Sequence, residues 1–157
     1  MNDEIPEGTR RAARVLLVGP RGTLLLLHAE HAADGHRFWL APGGGLEAHE
    51  SFQDAARQEL REETGVDVLI GPCVWTRRHA YSWNGRWYDQ YERFFVATTE
   101  SDRMQPITKD DYVIGYKWWN ASELGKSTDH FVPRRLGVLM GHIIEGHYPA
   151  TPIDCGI

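Results

Sequence analysis

The sequence is poor in cysteine: Cys73 and Cys155 are the only two in 157 residues, far apart and in no metal-type spacing. A disulfide framework needs more, so both read as reduced, structural thiols. No apolar run approaches the ~20 residues that cross a bilayer, so no membrane partner is expected. The first residues, Met1-Asn2-Asp3-Glu4, lack the basic start and apolar stretch of a secretory leader, and the expected location is the cytoplasm. Concentrated positive charge is missing as well. The net charge is −5, and the arginines come in scattered pairs, Arg10-Arg11, Arg77-Arg78 and Arg134-Arg135. A nucleic-acid track needs a concentrated basic face, so no nucleic-acid partner is expected. A small anion, which needs only a few arginines and a metal, stays open. Repeats, low-complexity tracts and long linkers are also absent, and the length suits one domain over 1–157.

What is present is the profile of a globular chain, 41% apolar and 25% charged. Val15–Val18 and Leu24–Leu27 are short apolar runs separated by Gly19-Pro20-Arg21-Gly22, the pattern of a hairpin of buried strands. Phe38–Leu40 reads as a short strand ended by Pro42 and three glycines. Ser51 to Thr64 is the clearest helix: Ser51 can cap it, Asp54 stands three residues on, and Gly65 supplies the stop. Further strands are expected near 66–70, 74–81, 88–97 and 114–119, with a helical turn over 121–124. A second helix is expected over 131–145, with Pro133 in its first turn and Gly146 at its end. An extended tail follows over 149–152. Strands interleaved with two helices predict an α/β fold, a mixed sheet sandwiched between helices.

The informative stretch runs from Gly43-Gly44-Gly45 through Glu47 and Glu50 to Glu59-Leu60-Arg61-Glu62-Glu63-Thr64-Gly65-Val66. Helical spacing places Glu59, Glu62 and Glu63 on or near one face. Like charges at that spacing cost roughly 0.2–0.5 kcal/mol per pair. Anions in the last turns also oppose the helix dipole, by about 0.3–1 kcal/mol each. A helix selected only for stability would avoid this arrangement. A hard dication such as Mg²⁺ reverses both terms, because it favours carboxylate oxygens and keeps waters for substrate phosphates. The glycines let backbone come close to a metal or a phosphate. The blander reading of a lone E-x-x-E-E is a solvated acidic helix face.

The spacing resembles the Nudix box, G-x5-E-x7-R-E-U-x-E-E-x-G-U with U a bulky aliphatic. Gly44, Glu50, Glu59, Leu60, Glu62, Glu63, Gly65 and Val66 all match. One position departs: Gln58 stands where the family has an arginine that holds the neighbouring carboxylates. Gln58 can donate amide hydrogen bonds but brings no charge and no bidentate fork. Arg57 is adjacent, yet one step along a helix turns a side chain by about 100°. The departure bears on catalytic efficiency more than on metal binding.

The resemblance implies an α/β/α sandwich with a loop–helix–loop catalytic motif, and a hydrolase that cleaves a nucleoside-diphosphate-like pyrophosphate bond with Mg²⁺, or Mn²⁺. By similarity, Glu59 and Glu63 would ligate the metal, Glu62 would be a ligand or touch a metal water, and the Gly43 carbonyl could add an oxygen. Glu50, Gln58 and Gly65 would hold the motif in shape. Family members often supply an extra carboxylate from outside the box as general base. Glu92 and the pair Asp110-Asp111, Asp111 in particular, are the candidates; Glu92 reads equally as an ion pair with Arg93 or Arg78, and the aspartates as a solvated loop. Substrate contacts are expected from Gly44, Arg11, Trp39 and Arg78, with Arg14 beside Arg11 and Arg78 as a further arginine that could pair phosphates, although such arginines also simply flank strands and such tryptophans fill cores. Trp75, Trp83, Trp87, Trp118 and Trp119 could stack on a base, with at most one or two expected to do so. His28, His31 and His36, without cysteine, do not make a zinc site.

Three functions follow, in order: a pyrophosphohydrolase acting on a small nucleotide (a nucleoside triphosphate, nucleotide sugar or dinucleoside polyphosphate); a module that binds such a metabolite without turnover, favoured only by Gln58; and the isomerase branch of the fold, for which neither cysteine offers a match. Nudix domains often pair, so a homodimer is compatible, but no residue specifies one.

Overall fold

The computed structural model describes residues 5–108 and 110–157. Met1–Glu4, which carried the reading against a leader, lie outside them. The two apolar runs sit in long strands, β1 (Arg10–Gly19) and β2 (Thr23–Glu30). β3 (Arg37–Leu40) and β4 (Gly43–Gly45) precede helix α1 (Phe52–Thr64). A long hairpin follows, β5 (Cys73–Trp83) and β6 (Arg86–Thr98), turned by Asn84 and Gly85, both at positive φ. Two-residue turns with positive φ at both positions match the twist of the flanking strands. Then come β7 (Val113–Trp119), α2 (Ala121–Lys126), β8 (Phe131–Val132), α3 (Leu136–Ile144) and β9 (Ile153–Asp154).

The strands form one mixed sheet ordered β8-β3-β2-β1-β6-β5-β9, with β4 added to β1 and β7 to β2. β1 runs parallel to β6 over Arg10–Val18 and antiparallel to its other neighbours. Helices cover both faces. Ala55, Ala56 and Leu60 of α1 pack on Ala13, Val15, Leu17, Leu25, Phe95 and Ala97. On the other face Leu124 of α2 and Leu136, Met140 and Ile143 of α3 pack on Leu16, Leu24, Trp75, Phe94 and Val96. Each fully buried leucine of this kind contributes about 1.5–3 kcal/mol. The expected sandwich is therefore the observed one. Among the described residues no helix is long and apolar enough to cross a membrane.

Two expected elements differ. Residues 66–70 form no strand, although Val66, Val68 and Ile70 alternate inward against the α1 layer while Leu69 is exposed. The period-2 pattern is present, but no neighbouring strand pairs with it. The helix expected over 131–145 is divided. Phe131 and Val132 pair with Trp39 and Leu40 as β8, and α3 starts only at Leu136. The residue before a proline is pushed towards extended backbone, which keeps Val132 out of a helix.

Candidate active site

Two neighbouring elements bring the glycines and glutamates together. β4 lies against β1 with Gly43–Gly45 opposite Arg14–Ala12, and α1 packs over it. A Cβ on Gly44 would stand 2.7 Å from Cδ of Glu59 and 2.9 Å from both its oxygens, so the carboxylate fills the space a side chain would need. The Gly43 N–H donates to Glu63 Oε1 at 3.0 Å. Glu63 is buried, and its other oxygen, Oε2, has no hydrogen-bond partner. Burial pushes the Glu63 carboxyl up to about 8 in spite of the Arg14 charge, and burial together with Glu62 pushes Glu59 up. A buried carboxylate oxygen without a partner, beside a second carboxylate, is a donor set that fits a hard dication.

The rest of the motif holds these groups in place. Ser51 Oγ accepts the Asp54 N–H at 3.1 Å, and Gly65, at φ 76°, closes the helix with its N–H on the Arg61 carbonyl. Glu50 accepts the Glu47 N–H at 3.0 Å and so ties the loop to itself. Gln58 donates its amide to Glu62 Oε1 at 3.1 Å, retaining a hold on one carboxylate without a charge. Arg57 turns away and pairs with Asp67 at 2.7 Å. The orphan carbonyls of the last turn are taken by the following loop: Gln105 N–H reaches Thr64, and the N–H groups of Ile107 and Thr108 both reach Glu62. This docking brings Asp110 to the carboxylates, where its charge raises Glu59 and Glu63 further. Asp111, the residue expected from sequence, does not line the cleft; it sits beside Val113 and Ile114.

The cleft has a volume of about 830 Å³, and the sheet forms its far wall. Successive side chains of a strand point to opposite faces. The register Arg10↔Gln90, Ala12↔Glu92 and Arg77↔Glu92 therefore places Arg10, Arg14, Arg77, His79, Tyr81, Trp83, Gln90 and Glu92 on the cleft side. Arg11 and Arg78 both register with Tyr91, on the opposite side under Phe52 of α1. Of the three arginines expected to pair phosphates, Arg11 and Arg78 are thus one residue out of phase with the cleft, and Arg14 lines it. Arg78 instead pairs with Asp89 at 3.1 Å. Trp39 is also outside the cleft. It is buried, stacked on His28 at 3.9 Å, with its indole N–H on Asp129.

Glu92 faces the cleft wall, but both its oxygens are engaged. Oε2 accepts from Arg14 Nε at 2.8 Å; Oε1 accepts from Arg77 Nη1 and from His79 Nε2, each at 2.9 Å. Burial alone would push this carboxyl up. The His79 hydrogen bond and the charges of Arg14 and Arg77 outweigh it and hold the group at about 2. Arg77 Nη2 also faces His79 Nδ1 at 3.3 Å, and since arginine only donates, the imidazole proton belongs on Nε2. A carboxylate saturated by three donors is a poor proton acceptor. The ion-pair reading thus gains over the base reading, with Arg14, Arg77 and His79 as partners in place of Arg93 or Arg78. Arg77 could have been suspected from the sequence, where it breaks into a strand segment that otherwise turns apolar side chains inward. Tyr81, Trp83, Tyr88 and Tyr112 also line the cleft; Tyr81 stacks on both His79 at 4.9 Å and Tyr88 at 5.3 Å, and Arg86 lies over the Tyr88 ring.

The comparisons with known proteins agree with this geometry. Residues 8–138 match the NUDIX domain family. An RNA pyrophosphohydrolase from Erythrobacter litoralis is 28% identical over 133 residues, covering 73% of this chain and 78% of that protein. Phosphatase NudJ from Shigella boydii is 32% identical, covering 66% of this chain and 65% of its own. Among solved structures, a MutT protein from Methanosarcina mazei Go1 superposes with TM-score 0.67 at 17% identity, over 88% of this chain and 97% of that one. An Ap4A hydrolase from C. elegans superposes at 0.61 and 20% identity, over 88% and 99%. At these identities the structural likeness is one of fold, while the match over most of the chain, box included, settles descent: this chain belongs to the NUDIX domain family and is a Nudix hydrolase.

Proposed function

We propose that the protein is a metal-dependent pyrophosphohydrolase that cleaves a nucleoside diphosphate linked to another moiety, with Mg²⁺ as its ion and Mn²⁺ as a working substitute. The observation that carries the reading is Glu63, buried beside Glu59 with one oxygen unpartnered. Glu59 and Glu63 would hold the ion, with Glu62 and the Gly43 carbonyl nearby. When bound, a hard dication there neutralises diphosphate charge and makes a water more acidic.

The chain's own residues supply the rest. Gly44 lets a phosphate approach beside Glu59. Arg10, Arg14 and Arg134 line the same cleft and present cations to phosphate oxygens. Of the aromatic lining, Trp83 is the ring left for a base to stack on, since Tyr81 and Tyr88 are already stacked on each other and on His79 and Arg86. Water attacks phosphorus, the anhydride P–O bond breaks, and the attacking water's proton passes to a cleft carboxylate. We assign that acceptor to Asp110 in place of Asp111, because it faces Glu59 and Glu63, and in place of Glu92, whose lone pairs are occupied. The cleft volume and the net charge of −5 favour a small nucleotide over a polymer. The names of the relatives, an RNA pyrophosphohydrolase among them, make triphosphate-ended RNA the comparison substrate.

The test is phosphate or pyrophosphate release across nucleoside triphosphates, nucleotide sugars, dinucleoside polyphosphates and a 5′-triphosphate RNA, with and without Mg²⁺ or Mn²⁺. Turnover that needs metal, disappears in Glu59→Gln and falls in Asp110→Asn but not in Asp111→Asn is expected. Nucleotide binding without turnover under any metal, restored to turnover by Gln58→Arg, would replace this reading with that of a binder whose motif has lost its charge.

A further inference from the structure

A second group of ligands lies outside the cleft, at the C-terminal end of α3. His142 stands in the last turn, Glu145 caps the helix, and Gly146, at φ 79°, turns the chain back. The Gly146 N–H donates to the Ile143 carbonyl at 3.1 Å, and the His147 N–H to the His142 carbonyl at 2.8 Å. These two bonds define a Schellman closure, in which the second residue past the cap folds back over the third-last helical residue, usually with an apolar contact between them. Here both of those residues are histidines and the cap is a glutamate. Their ligand atoms, one from each side chain, all lie within 4.8 Å of one another, and all three residues are exposed. His147 Nδ1 is 3.5 Å from Glu145 Oε2.

We propose that His142, Glu145 and His147 form a site for a borderline divalent cation, zinc in the first place, that is separate from the carboxylate cleft. Tetrahedral zinc with ligand bonds of about 2.0–2.2 Å needs its donors about 3.3 Å apart. Exposed side chains on a fixed backbone turn can close that gap by small rotations. Two imidazoles and one carboxylate select Zn²⁺, Ni²⁺ or Cu²⁺ over Mg²⁺, which prefers an all-oxygen shell. The carbonyls at a helix C-terminus add a field that favours a cation. Three protein ligands leave the fourth position to water. None of the three residues lines the cleft, and Leu136, Met140 and Ile143 anchor the helix in the core.

The experiment is calorimetric titration of Zn²⁺ into the metal-stripped full chain in excess Mg²⁺, repeated with His142→Asn, His147→Asn and Glu145→Gln. One equivalent should bind with a micromolar dissociation constant, weakened roughly tenfold or more in each histidine variant. Glu59→Gln should leave that binding intact, which separates this site from the proposed function of the cleft, and Mg²⁺-dependent turnover should be unchanged in His142→Asn. Zinc affinity that survives in the double histidine variant, or that vanishes in Glu59→Gln, would overturn the assignment. So would a parent protein that takes up no zinc.

Discussion

Replacing Glu63 by glutamine should make the metal-free protein more stable while removing its activity. In the folded chain burial raises the Glu63 carboxyl to about 8, from an ordinary 4.5. Between those pH values the fold keeps a proton that the unfolded chain has released. The stability associated with that proton is fully present below pH 4.5 and drains away as pH rises towards 8. Each pH unit costs about 1.4 kcal/mol, so at pH 7 the parent has lost about 3 kcal/mol. Glutamine keeps the shape and can still accept the Gly43 N–H, yet carries nothing to titrate. For a chain of this size a kilocalorie moves the midpoint by about 2–4 °C, so Glu63→Gln should melt about 6–12 °C higher at pH 7 in chelator. The gain should fade to nothing near pH 4.5. With Mg²⁺ the parent should recover stability through mass action, and the variant should respond far less. The assay is thermal melting by circular dichroism, in chelator and in Mg²⁺, at several pH values. A variant that melts at or below the parent in chelator at pH 7, or a gain that does not depend on pH, would refute the reasoning.

Two further perturbations test other parts of the site. Glu92→Gln strips the negative charge from between Arg14, Arg77 and His79, and breaking a buried ion cluster in this way should cost about 3–5 kcal/mol in urea unfolding at pH 7. The Glu92 contribution is present above pH 4.5 and lost as pH falls towards about 2, so parent and variant should converge in acid. Gly44→Ala should fold normally but push the Glu59 carboxylate from its place, lowering kcat/KM about 100-fold while leaving the melting temperature within a few degrees of the parent.

The motif was legible in the sequence because it is local. Ser51, Gly65 and the glutamate spacing describe a capped helix with a costly acidic face, and the capped helix and its acidic end are where that description puts them. Arg11 and Arg78 show what a local reading misses. Which face of a strand meets the cleft depends on the register with a neighbour, and β1 pairs with β6 about eighty residues away. Asp110 came into the site through a loop docked on the last turn of α1, a contact with no motif of its own. Residues 66–70 show the converse, a correct alternation that lacks a strand to pair with. His142 and His147 lie five residues apart and meet only through the chain reversal at Gly146, which no spacing in the sequence announces.

The two-residue turn at Asn84-Gly85 has a consequence for how such a protein can change. It clamps Trp83 opposite Arg86 and Tyr81 opposite Tyr88, so the outer wall of the cleft is a ribbon of fixed phase. Inserting one residue on one arm would swap inward for outward side chains along the rest of that arm. Inserting two on each arm would lengthen the ribbon by about 7 Å and leave every existing side chain facing as before. The hairpin is therefore a ruler with even gradations. Its length can change in steps of two on each arm, altering how far the cleft wall reaches without disturbing the acidic helix.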